Sequence, residues 1–152
     1  MIVLTNLGYI PGGQEVDAWG ISHGVAGLYL PGLLLSGVVK DPDPEPALTQ
    51  RLRAFLERAG RGEIPADAAP GLGAVLSQNM AEVTRVLGKR LVELRAFTYI
   101  TTDDARGGGA ERLGVPVSRL VHYEMVTGSE TRYYTFWLTA DGRVADVISY
   151  SD

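Results

Sequence analysis

The chain has 152 residues, about one domain's worth, and a composition of 45% apolar and 21% charged residues that can bury a core, which excludes wholesale disorder. Its 18 acidic and 14 basic side chains give a net charge of −4, so no overall field draws nucleic acid or anionic lipid to it, and neither is an expected partner. It has no cysteine, which removes disulfides, thiolate metal sites and a cysteine nucleophile.

Residues 1–40 carry only Glu15, Asp17 and Lys40 as charges. Residues 1–5 form a short apolar run closed by Asn6 and Gly8, the pattern of a strand buried on both faces. Beyond a Pro-Gly-Gly loop, Asp17 is placed to cap a helix carrying Trp19, Ile21, Val25, Ala26, Leu28 and Tyr29 and ending near Pro31. Gly20, Gly24 and Gly27 make a flat stripe on it that permits close approach of another element. The apolar stretch 18–39 contains His23, five glycines and Pro31 and lacks flanking basic clusters, so no spanning helix is expected. A membrane is therefore not an expected partner, and the default location is cytoplasmic.

Residues 41–46, with alternating acids and prolines, predict an extended linker and a boundary. Leu48, Leu52, Phe55, Leu56 and Ala59 then follow helical spacing, with Gly60 and Gly62 as stop signals. A second helix is marked by Val75, Leu76, Met80, Val83, Val86 and Leu87 and closed by Gly88. Strands are expected over 91–101, 115–127, 131–140 and 143–151, with residues 103–114 as a glycine-rich loop. Short connections at 127–130 and 140–142, each with a glycine to supply positive φ, make the last three strands an antiparallel meander. The expected fold class is α+β: over 47–152, two helices packed on a curved, cone-like antiparallel sheet of about four strands, preceded by a strand–helix appendage in 1–40.

Chemistry has little visible apparatus. A phosphate-binding loop, an HExxH zinc motif, an acidic calcium loop and a GxSxG elbow are all absent, and the two histidines, His23 and His122, are far apart in sequence. No metal, no cofactor and no catalytic residue is expected. His23 has no second ligand at i+3 or i+4 and reads as a helix-surface residue. The strongest candidate site is a pocket formed by Tyr99, His122, Glu124, Tyr134 and Trp137, in which His122 would be a base or hydrogen-bonding group and Glu124, on the same strand face, its partner. Cross-strand packing of these side chains is the plainer account. Asp103 and Asp104 beside the glycine-rich segment read as a solvated turn rather than a cation site.

The run Ile2-Val-Leu-Thr-Asn-Leu7, followed by Ala18-Trp-Gly-Ile-Ser-His-Gly-Val-Ala-Gly-Leu-Tyr-Leu-Pro31, resembles the last strand and C-terminal helix of serine hydrolases of the class C β-lactamase and penicillin-binding-protein family. Residues 45–152, with paired helices and strands ending in Leu138-Thr-Ala-Asp-Gly-Arg-Val144, resemble the small cone domains of the nuclear transport factor 2-like, or cystatin-like, fold. The family's Ser-x-x-Lys, Tyr-x-Asn and Lys-Thr-Gly motifs do not occur in the chain, so the resemblance carries over no catalytic residue. It implies a non-catalytic accessory or interaction domain of such a hydrolase. The alternative is a small-ligand-binding or enzymatic cone domain, of isomerase or hydrolase type, with its pocket around His122. The implied partners are a parent hydrolase domain and a second copy of the chain, paired through residues 1–39 or through the sheet face.

Overall fold

The computed structural model describes residues 38–105, 111–128 and 130–151. The expected first strand and glycine-striped helix fall on residues 1–37, outside the described residues. The fold is α+β: among the described residues two helices, α1 (Pro46–Gly60) and α2 (Pro70–Val92), precede six strands, β1 (Ala96–Asp104), β2 (Glu111–Arg112), β3 (Val115–Pro116), β4 (Arg119–Val126), β5 (Thr131–Leu138) and β6 (Val144–Tyr150). Strands β1, β4, β5 and β6 form a four-stranded sheet in that order, with antiparallel neighbours, and β2–β3 is a separate small hairpin. Among the described residues no helix is long and apolar enough to cross a membrane.

Pro46 opens α1 where a missing N–H is harmless, because the first turn of a helix has no acceptor for it. Asp43 closes that end from outside the helix: one carboxylate oxygen accepts the Glu45 N–H at 2.9 Å and the other accepts the Thr49 hydroxyl at 2.7 Å. The helix buries Leu48, Leu52, Phe55, Leu56 and Ala59, the stripe its sequence spacing marks. Its last residue, Gly60, lies against α2. A Cβ on Gly88 would stand 2.9 Å from the Gly60 carbonyl oxygen, closer than real Cβ atoms approach backbone. Gly88 is therefore a crossing point between helices and not the helix stop that the sequence suggests. Accordingly α2 runs on to Val92, and the first strand begins at Ala96 and not at residue 91.

Strand alternation sends Val121, Tyr123 and Met125 of β4, and Tyr134, Phe136 and Leu138 of β5, into one core with the helix stripes. Tyr123 is at its centre, fully buried. Phe97 stacks on it at 4.5 Å, while Phe136 and Tyr99 meet it edge-on at 5.7 and 5.9 Å. Its hydroxyl lies 3.0 Å from that of Thr49, joining sheet to α1. Burial pushes the Tyr123 phenol up to about 12, partly offset by the Thr49 hydrogen bond.

Two connections differ from expectation. At the β4–β5 turn positive φ is not used at Gly128. Thr127 does the work instead, its hydroxyl donating to the Glu130 carbonyl at 3.0 Å and accepting the Glu130 N–H at 3.1 Å. At the β5–β6 turn Gly142 does take φ +82°, as the Asp-Gly pair predicts. Asp103 and Asp104 lie within β1 and not in a loop.

Two outcomes follow from these contacts. Gly88→Ala gains roughly 1 kcal/mol of helix propensity but drives a methyl into backbone, an overpacking loss of about 1–3 kcal/mol, so a net loss near 1 kcal/mol is expected as a lower urea midpoint. A midpoint equal to or above that of the parent would contradict the close crossing. For Tyr123, the folded state holds the proton more tightly than the unfolded chain, whose phenol titrates near 10. Stability is therefore fully present below pH ~10 and falls between ~10 and ~12, by roughly 2–3 kcal/mol on the linkage relation. Urea midpoints measured across that range should drop in the parent and drop less in Tyr123→Phe.

Candidate functional site

The five residues singled out by sequence do not share one surface. Tyr99 and Tyr134 belong to the core between sheet and helices, whereas His122, Glu124 and Trp137 alternate onto the opposite face.

On that opposite face a β-bulge decides the geometry. The β1–β4 register shifts between Tyr99 and Thr101, so Ile100 has no partner on β4. The extra residue reverses the alternation beyond it. Thr102 returns to the helix side, where its hydroxyl meets that of Tyr99 at 2.9 Å, and Asp103 is delivered to the side of His122. The imidazole bridges three strands. Its Nε2 is 3.0 Å from an Asp103 carboxylate oxygen of β1, and its Nδ1 is 2.9 Å from the Thr135 hydroxyl of β5. His122 is only 7% exposed. A carboxylate can only accept, so Nε2 carries the proton and Nδ1 takes the Thr135 hydroxyl in the neutral ring. No ring nitrogen is left to abstract a proton, which is the geometry of a structural histidine rather than of a general base.

Glu124 is not the partner of His122. It pairs with Lys40 at 2.5 Å, where the chain entering the domain crosses β1: the Asp41 N–H donates to the Ile100 carbonyl at 2.9 Å, and the Thr101 hydroxyl to the Asp41 carboxylate at 3.2 Å. Val38 packs there with Ile100, Tyr133 and Tyr150. Trp137 carries the Arg112 guanidinium over its ring at 4.0 Å, a cation–π contact that seats the β2–β3 hairpin.

On the helix side lies a cavity of about 360 Å³, whose walls include Phe55, Leu72, Leu76, Val83, Val86 and Tyr134. Its lining is apolar apart from a few groups. Glu82 and Arg90 line it as well, and each is occupied: Arg85 donates to Glu82, holding its carboxyl below the usual range, and Arg90 donates to Glu130 at 2.8 Å. Burial raises the Glu130 carboxyl, but hydrogen bonds from Arg90 and Arg132 outweigh it, so Glu130 stays charged. Tyr134 lines it too. It is 3% exposed, its hydroxyl is shut off from solvent, and that hydroxyl has no hydrogen-bond partner. A buried hydroxyl without a partner costs about 1–3 kcal/mol, so its retention calls for an explanation.

Sequence reasoning selected Tyr134 but grouped it with His122. It missed Asp103 and Thr135, because alternation counted from Phe97 and Tyr99 puts Asp103 on the wrong side unless the bulge is known. Among the described residues no group of three metal-ligating side chains comes together. No protein-family model, no curated protein and no solved structure matches the chain.

His122→Leu removes a ring that satisfies two strands' side chains and leaves the Thr135 hydroxyl unpaired. A loss of about 1–3 kcal/mol is expected in urea unfolding. A variant as stable as the parent would mean that the histidine is not structural.

Proposed function

We propose that residues 46–150 form a non-catalytic, small-ligand-binding accessory domain, built to hold a molecule in the apolar cavity under the helices. One observation supports this: a cavity of about 360 Å³ between the helices and the sheet, walled mostly by apolar side chains such as Phe55, Leu72, Leu76, Val83 and Val86. Cavities of this size class with an apolar lining and very few polar groups are the common form of small-molecule sites. Hydrolysis or isomerisation would need a base within reach of a nucleophile or a substrate proton. Among the described residues the histidine, His122, is on the other face of the sheet, bonded at both nitrogens, and Glu82 and Arg90 are taken up by their own partners. The resemblance of residues 2–7 and 18–31 to the final strand and helix of class C β-lactamase-type hydrolases suggests the setting: a domain carried beside a hydrolase, not one that performs its chemistry.

The test has two arms. N-phenyl-1-naphthylamine, an uncharged apolar dye, should bind one per chain with enhanced fluorescence, and Val86→Trp, which fills the cavity, should abolish it. The protein should hydrolyse neither nitrocefin nor p-nitrophenyl acetate above the buffer rate. Turnover that is lost in a His122 variant would refute the non-catalytic reading, and dye binding unaffected by Val86→Trp would refute the cavity.

A further inference from the structure

We infer that the face of the sheet turned away from the helices is a docking surface for residues 1–37 of the same chain. This is independent of what the cavity holds, because the two lie on opposite sides of the sheet.

An antiparallel sheet with one solvated face buries every second residue of a strand. Here the two central strands do not alternate: Val121, His122 and Tyr123 of β4 are buried in succession, as are Tyr133, Tyr134, Thr135 and Phe136 of β5. Val121, Tyr123, Tyr134 and Phe136 belong to the core beneath the helices. His122, Tyr133 and Thr135 face the other way, yet each is no more than 7% exposed, and Ile100, clustered with Tyr133, is 0% exposed. A face buried to this degree is covered, not solvated. Among the described residues the pieces that reach over it are short: Val38 against Ile100, Tyr133 and Tyr150, Lys40 on Glu124, and Arg112 over the Trp137 ring.

The chain itself supplies the rest of the cover. Val38 is half-buried against Ile100 and Tyr133, so the residue joined ahead of it starts one Cα step, about 3.8 Å, from the same face. Residues 1–37 carry Glu15 and Asp17 as their only charged side chains and are rich in Leu, Val, Ile and Gly, a composition that is unfavourable to leave in water. The face suits an apolar occupant, since its ionisable groups are already paired: His122 lies between Asp103 and Thr135, and Glu124 is held by Lys40. The covalent tether favours this segment over another chain, because a short link gives an effective concentration of millimolar order at the face. A second copy competes only at comparable concentration.

The chain has no cysteine, so one introduced thiol carries a nitroxide spin label at a single chosen point. Ile148→Cys places it on this face, at a residue 39% exposed and paired across the strands with Thr135, whereas Ser77→Cys places it on the exposed side of α2. In the 152-residue chain the Ile148 label should cut the intensity of the amide resonances of residues 1–37 and of the Trp19 indole severalfold, and the Ser77 label should leave them unchanged. The Trp137 indole, next to the Ile148 label on the same face, gives the reference loss. If the Ile148 label broadens Trp137 but spares residues 1–37, the docking is overturned. Equal broadening from the Ser77 label overturns it as well. Isotope-enriched parent mixed with unenriched, nitroxide-bearing Ile148→Cys protein should show no loss. Broadening of residues 1–37 in that mixture would put a second copy on the face and overturn the assignment to the same chain.

Discussion

Tyr123 ties the domain together. Its ring occupies the centre of the aromatic group on the sheet, with Phe97 stacked on it and Phe136 and Tyr99 at its edges, and its hydroxyl reaches Thr49 on α1. Thr49 donates in turn to Asp43, which closes the start of the helix, while Arg119 of β4 pairs with Glu45 beside it. One chain of contacts thus fixes the angle at which the first helix lies across the strands. The second helix is then placed by its Gly88 crossing with Gly60, and the space left between helices and sheet is the cavity.

Both faces of the sheet hold buried polar groups, and Trp137 Nε1 on the His122 face is, like the Tyr134 hydroxyl, without a hydrogen-bond partner. On one, an imidazole is fully engaged between a carboxylate and a hydroxyl, so its polarity is converted into cross-strand cohesion. On the other, a hydroxyl is held with nothing to bond. The first arrangement maximises stability; the second forgoes some of it.

Much of the architecture is legible in the sequence because periodicity reports burial directly. The stripe Leu48, Leu52, Phe55, Leu56, Ala59 and the alternation Val121, Tyr123, Met125 are each found on the core side. What escapes is what depends on tertiary contact. Gly88 has the composition of a helix stop, but only the presence of Gly60 opposite explains it. Gly128 looks like the turn former, yet a threonine hydroxyl closes the turn. The partner of His122 is hidden by one extra residue at Ile100, since an inserted residue leaves no mark in a run such as Tyr99-Ile100-Thr101 while it exchanges the faces of everything after it. For the same reason the five candidate site residues, collected by chemistry, are divided between two surfaces.

The entry of the chain has a consequence for how a neighbour can be carried. Asp41 is bonded to β1, Lys40 pairs with Glu124 of β4, and Val38 packs with Tyr133 of β5 and Tyr150 of β6, so this segment runs across the face of the sheet opposite the helices, whereas the cavity lies on the helix face. Val38 is thereby held on the face of the sheet away from the cavity. On the proposed reading, a companion domain joined ahead of Val38 and a ligand under the helices would occupy opposite faces of the sheet and would not compete for the same ground.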